Sequence, residues 1–144
     1  MDAKRFVVGT FVGGVALHAA GYVIFTTAFA DFYAANAGSA TGVDRGGELF
    51  WAVALANLAY AALVTFAIGN RSGSLPIGEG AKIGAIVGFL LWFTADFVFY
   101  GTTNIANLTR TVVDPLLEIV HGGIGGGVIA AVLARIPASG RNPK

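Results

Sequence analysis

Twenty-five consecutive residues, Phe6 to Ala30, contain no Asp, Glu, Lys or Arg. Leu49 to Asn70 adds a second such run of 22. Both exceed the roughly 20 residues that a helix needs to cross a hydrocarbon core of ~30 Å. A third stretch, Ile83 to Thr109, is broken only by Asp96. A fourth runs from Pro115 to Arg135, with Glu118 and His121 near its start. These runs are too long for membrane strands and lack strict alternation. The chain is therefore predicted to be all-α, a polytopic integral membrane protein folded as a four-transmembrane-helix up-down bundle. It reads as a single transmembrane domain over residues 1–144, with spans near 6–30, 49–69, 81–101 and 115–134. Residues 137–144 read as a flexible tail.

Composition agrees. Hydrophobic types make up 56% of the 144 residues and charged types 12%. A soluble domain of this size could not hide that much apolar surface. The net charge of +1 supplies no basic face, which argues against a nucleic-acid partner. The absence of cysteine excludes disulfides, thiolate metal sites and thiol nucleophiles.

The first span has a rival reading. Lys4 and Arg5, an apolar run and then Ala28-Phe29-Ala30 imitate a secretory signal with its cleavage site. The apolar run is longer than such a signal carries, so it is read as a retained span. The fourth span carries five glycines in the six residues Gly122 to Gly127. Bilayers tolerate this better than water does. Asp114 followed by Pro115 is read as its N-cap and first residue.

Orientation follows from basic residues. Lys4, Arg5, Arg71, Lys82, Arg135, Arg141 and Lys144 fall on one side, and Arg45 and Arg110 on the other. Both termini are thus expected in the cytoplasm, with the chain in the cell (inner) membrane and loops 31–48 and 102–114 outside. Phe29, Phe32, Tyr33, Phe50, Trp51, Phe97, Phe99 and Tyr100 gather at the outer interface, where aromatic rings are favoured. The outer segment Asn36 to Gly42 is small and polar, and is expected to be mobile. Asn107-Leu-Thr109 matches a glycosylation sequon, a weak three-residue signal.

Small residues recur four apart: Gly9 and Gly13; Gly80, Gly84 and Gly88; Gly122 and Gly126; Gly123 and Gly127. Such rows let helix backbones approach closely in lipid. They serve either packing within the bundle or the seam of a homodimer or larger membrane complex; the lipid bilayer is the other partner.

Ionisable groups inside a span cost ~2.5–3.5 kcal/mol on insertion scales, so each needs a reason. His18 lies near the middle of span one, with Tyr22 a turn further out. Asn57 lies in the outer part of span two, and Asp96 roughly 6–8 Å below the outer end of span three. Asp114, Glu118 and His121 are spaced i, i+4, i+7 and share one helix face, where Gly125 would leave space. The spacing predicts an outward-facing polar pocket lined by Asp96, Glu118 and His121, with His18, Tyr22 and Asn57 as walls. The plain alternative is structural: a cap, an interfacial acid and cross-helix hydrogen bonds.

Sharper chemistries have little to rest on. Glu118-x-x-His121 is one step of a di-iron bundle, which needs two such steps. Haem or zinc at His18 and His121 has suitable ligand types but no motif, so no cofactor is predicted. Ser39, Ser72, Ser74 and Ser139 lie in loops or the tail, away from both histidines, and offer no triad. The glycine run is no nucleotide loop, since no strand precedes it.

Thr103-Asn-Ile-Ala-Asn-Leu108, Val112-Val-Asp114 opening a glycine-rich last helix, and the Gly80–Gly88 row followed by an intramembrane acid resemble small bacterial four-span membrane protein families of unknown function. The likeness covers residues 78–134. It implies a four-helix architecture and no established activity. The leading expectation is therefore binding or transport of a small polar ligand, ion or proton. The alternative is a structural or accessory subunit packing through its glycine faces. An enzyme has the least support.

Overall fold

A computed structural model describes residues 1–69 and 75–137. Arg71, Ser72, Ser74 and the inner connector, together with Ser139, Arg141, Lys144 and the tail from residue 138, lie outside the described residues. Helix α1 covers Ala3–Gly21 and runs straight into a π-helical segment, Tyr22–Ala28. The short α2 is Ala30–Ala35, α3 is Phe50–Gly69, α4 is Ile77–Thr102 and α5 is Leu108–Leu133. Four helices among the described residues are long and apolar enough to cross a membrane: Ala3–Ala28, Phe50–Gly69, Ile77–Thr102 and Leu108–Leu133. A helix satisfies its own backbone polar groups, which is what hydrocarbon demands. The protein is a small, multi-pass, all-α membrane bundle.

Local chemistry sets the helix ends. Asp2 accepts from Arg5 N at 2.9 Å and caps α1. Arg5 then reaches the other end of the sequence, where its Nη1 donates to the carbonyls of Leu133, at 2.8 Å, and of Ile136. A cation on the last carbonyls of α5 suits the negative end of that helix.

Two boundaries differ from the sequence reading. Helix α5 starts seven residues before Pro115, because Asn107 is the cap: its side chain accepts from Arg110 N at 2.9 Å. Pro115 then sits inside the helix, fully buried, and Asp114 is a helical residue rather than a cap. Lipid-buried helices accept such a proline when neighbours enclose the freed backbone. Helix α1 changes to π geometry at Tyr22, where Phe29 N donates to Ile24 O at 2.9 Å, five residues back. π turns of this kind are rare and cluster at functional sites.

Helix α5 is the centre. It packs on α4 through one face and on α1 and α3 through others. The α4–α5 crossing is built from glycine. A Cβ on Gly84 would strike the Gly122 carbonyl, one on Gly126 the Gly80 carbonyl, and one on Gly80 the Ala130 methyl. Gly9 packs on Thr65, and Gly13 on Ile129 and Ala61. Gly123 and Gly127 make looser, ordinary contacts with α4. The remaining core is aliphatic: Leu17, Ala61, Val64, Ile68, Ile129 and Leu133.

At the loop-bearing end the two connections pair. Gly38 N donates to Ile105 O at 2.8 Å, and Ala40 N to Asn104 O at 3.0 Å. Asn107 Nδ2 donates to Asn36 Oδ1 at 3.1 Å. The small polar segment after Asn36, expected to be mobile, is thus pinned by backbone hydrogen bonds that its composition did not announce.

Candidate functional site

Glu118 and His121 lie one turn apart near the middle of the 26-residue α5. At 1.5 Å per residue they are ~15 and ~20 Å from its start, further along the helix than a start at Pro115 implies. They are 2% and 4% exposed. His121 Nδ1 and Glu118 Oε2 are 2.9 Å apart. His121 Nε2 is 2.9 Å from the backbone carbonyl of Leu17 on α1. The imidazole is held edge-on by Phe25, at 5.3 Å, and by Tyr60, at 5.7 Å. The π segment supplies Phe25, and Gly21 supplies room: a Cβ there would lie 3.3 Å from Nε2.

These contacts fix a proton count. A carbonyl oxygen only accepts, so Nε2 carries hydrogen. Nδ1 can then bond Glu118 only if one of the two holds a further proton. The arrangement is a neutral acid beside a neutral imidazole, or a carboxylate beside an imidazolium. Both have the same net charge of zero and differ only in where one proton sits.

A second cluster stands further toward the loops. Asp96 of α4 faces Asp114 of α5, with Glu118 and Arg110 within electrostatic reach. Asp96 Oδ2 is shut from solvent and accepts no hydrogen bond. The Tyr33 hydroxyl donates to Asp114 Oδ1. The Arg110 guanidinium lies over the Tyr33 ring, 4.8 Å from its centre. Burial first, and then the bond to Asp114, push the Tyr33 hydroxyl well above the ordinary tyrosine range. Asp114, Glu118 and His121 do share a helix face, and together with Asp96 they form a column from the loop-bearing end to mid-bundle.

The other expected walls stand elsewhere. Tyr22 is 56% exposed and stands outside the bundle at the start of the π segment. His18 and Asn57 form their own contact between α1 and α3, Asn57 Nδ2 to His18 Nδ1 at 3.4 Å. The space expected beside Gly125 is filled by Leu17. Within the column Glu118 and His121 are buried, while Asp96 and Asp114 are half-buried. A groove of about 250 Å³ does run along α4 and α5, but apolar Ala85, Ile86, Phe89, Leu90 and Ile119 line it. Among the described residues no three His, Asp or Glu side chains gather to hold a metal.

Sequence reasoning passed over Tyr60, which lies mid-span on α3 and far from any aromatic belt; that position was the available signal. It also placed Tyr33 among the interfacial rings, whereas Tyr33 turns inward to Asp114. Phe50, Trp51, Phe99 and Tyr100 are exposed at the loop-bearing end. Compared with models of known families, with curated proteins and with solved structures, the chain finds no match.

Proposed function

We propose that this membrane protein binds protons at the Glu118–His121 pair and exchanges them with the face of the bilayer that carries loops 36–49 and 103–107. The supporting observation is the pair's own hydrogen bonding. Nε2 is committed to Leu17, so the bond between Nδ1 and Oε2 needs a shared proton. Loaded, the pair is neutral; emptied, it carries one negative charge. Asp114 and Asp96 stand one turn further out and form the relay toward the loops. Toward the other end the core is mainly aliphatic, which favours one-sided binding over passage across the bilayer. The distribution of basic residues supports an orientation with the loops outside the cell membrane and the termini in the cytoplasm. The pair then samples external protons. An accessory role through the glycine faces has less support, because Gly80, Gly84 and Gly88 are covered by α5 of the same chain.

Nitrogen NMR of histidine-labelled protein in lipid bilayers tests this reading, with His18→Gln to assign the two rings. His121 Nε2 should stay protonated at every pH while the Nδ1 resonance moves with pH. In Glu118→Gln the amide donates to Nδ1, and the movement should stop. A wild-type Nδ1 that never moves, or moves equally in Glu118→Gln, overturns the reading.

A further inference from the structure

Tyr60 is 7% exposed, and its hydroxyl is shut from solvent with no hydrogen-bond partner. Buried polar groups are nearly always paired, so an unpaired one needs a reason. The hydroxyl sits in the crossing of α4 and α5. A Cβ on Gly88 or on Gly122 would take its place, and one on Gly88 would also press on the Glu118 carbonyl. The ring stands edge-on to His121. The glycine rows thus do more than bring two backbones together. They hold room for a hydroxyl from a third helix, close beside the Glu118 carboxyl but outside the distance and alignment of a formed hydrogen bond.

We propose that Tyr60 is the donor that receives Glu118 when the pair gives up its proton. This rests on the reading of Glu118 and His121 as a proton store. While the store is loaded, the shared proton satisfies Glu118 and leaves the Tyr60 hydroxyl idle. When the proton departs toward the loops, the carboxylate faces a bare Nδ1 lone pair in apolar surroundings and needs another donor. The groups that face it can be taken in turn. His121 has one N–H left, committed to Leu17 of α1. Asp114 on the same helix and Asp96 from α4 are acids. Tyr33 from α2 already donates to Asp114, and Arg110 lies over the Tyr33 ring a turn further out. Tyr60 from α3 is the donor that remains. It keeps its own proton throughout and serves as a positioning residue for the emptied state.

Tyr60→Phe tests this, since it removes the donor and keeps the ring. In the same NMR titration, release from the pair should need a higher pH in Tyr60→Phe, with protons bound at least roughly tenfold more tightly. Thermal stability under acidic conditions, with the store loaded, should not fall, because an idle hydroxyl contributes nothing there. An unchanged midpoint in Tyr60→Phe, with the wild-type titration present and lost in Glu118→Gln, overturns the role of Tyr60 and leaves the proton store standing. Absence of any wild-type titration overturns both. Where Tyr60→Phe fails to fold, infrared difference spectra of tyrosine-labelled wild-type protein decide. A tyrosine C–O band that shifts on deprotonation, and is silent in Glu118→Gln, supports the role; a band silent in both overturns it.

Discussion

His121 on α5 sets its Nε2 2.9 Å from the Leu17 carbonyl on α1, while its other ring nitrogen holds Glu118. One imidazole therefore ties two helices and balances a buried acid. Removing it alone strands that acid. His121→Leu should cost about 3–5 kcal/mol, the usual penalty for breaking a buried pair from one side. Replacing both partners, Glu118→Leu with His121→Leu, should recover much of that loss, because no polar group is left unpaired. Reversible unfolding in mixed micelles gives both numbers. A double variant as unstable as the single one would mean that the pair is not the reason for the loss.

The α4–α5 crossing makes a different demand, on volume. Gly84 meets the Gly122 carbonyl so closely that even one methyl would collide. Gly84→Val should destabilise the bundle by about 1–3 kcal/mol or more through overpacking. The loss should appear as less folded protein, not as a change from dimer to monomer. Size-exclusion chromatography in detergent beside a thermal melt separates the two. A stable Gly84→Val protein of altered oligomeric state would place the row at an interface between copies instead.

What could be read in advance follows from which forces act locally. Charge-free runs report spanning helices because an ionised side chain in hydrocarbon is costly wherever it falls. The i, i+4, i+7 spacing of Asp114, Glu118 and His121 reports a shared face because helix geometry alone sets it. The partners of that face were not legible. The Leu17 carbonyl carries no residue-type signal, and Tyr60 meets the column only because glycines on two other helices leave room. The α5 start was misread because Asp114-Pro115 is a sound local cap, yet Asn107, held by Asn36 from the other loop, captures the end first. The inward turn of Tyr33 likewise depends on pairing between distant loops.

Tyr33 carries a testable pH dependence. Its hydroxyl is raised above the ordinary value near 10 by burial and by the bond to Asp114. The folded protein thus holds this proton more tightly than the unfolded chain does. The stability it contributes is fully present below a pH of about 10 and is lost as the pH rises beyond that value. Wild-type protein should therefore lose stability on alkaline titration, and Tyr33→Phe should lose less over the same interval. Ultraviolet titration should also show Tyr33 among the tyrosines that ionise only on unfolding, with one fewer such tyrosine in Tyr33→Phe than in wild type. Equal alkaline loss in the two proteins would detach the Tyr33 hydroxyl from the fold.

The loop pairing that supports Tyr33 depends on a glycine at position 38. There the chain passes so close to Asn104 that a Cβ would fall on its carbonyl. Gly38→Ala should force the two connections apart and break the bonds from Gly38 N to Ile105 O and from Ala40 N to Asn104 O. Each such bond contributes about 1 kcal/mol net, so amide protection at Ala40 and Asn107 should fall roughly tenfold or more. Protection over Glu118 to Gly122 should hold, since those amides lie in the middle of α5. The Tyr33–Asp114 bond should weaken with the loops, because α2 ends at Ala35 and Asn36 beside it carries the tie to Asn107. Tyr33 would then titrate earlier in Gly38→Ala than in wild type. Hydrogen exchange read by mass spectrometry and the ultraviolet titration together check the chain of effects. Unchanged protection at Ala40 would show that the loops do not rely on the close approach.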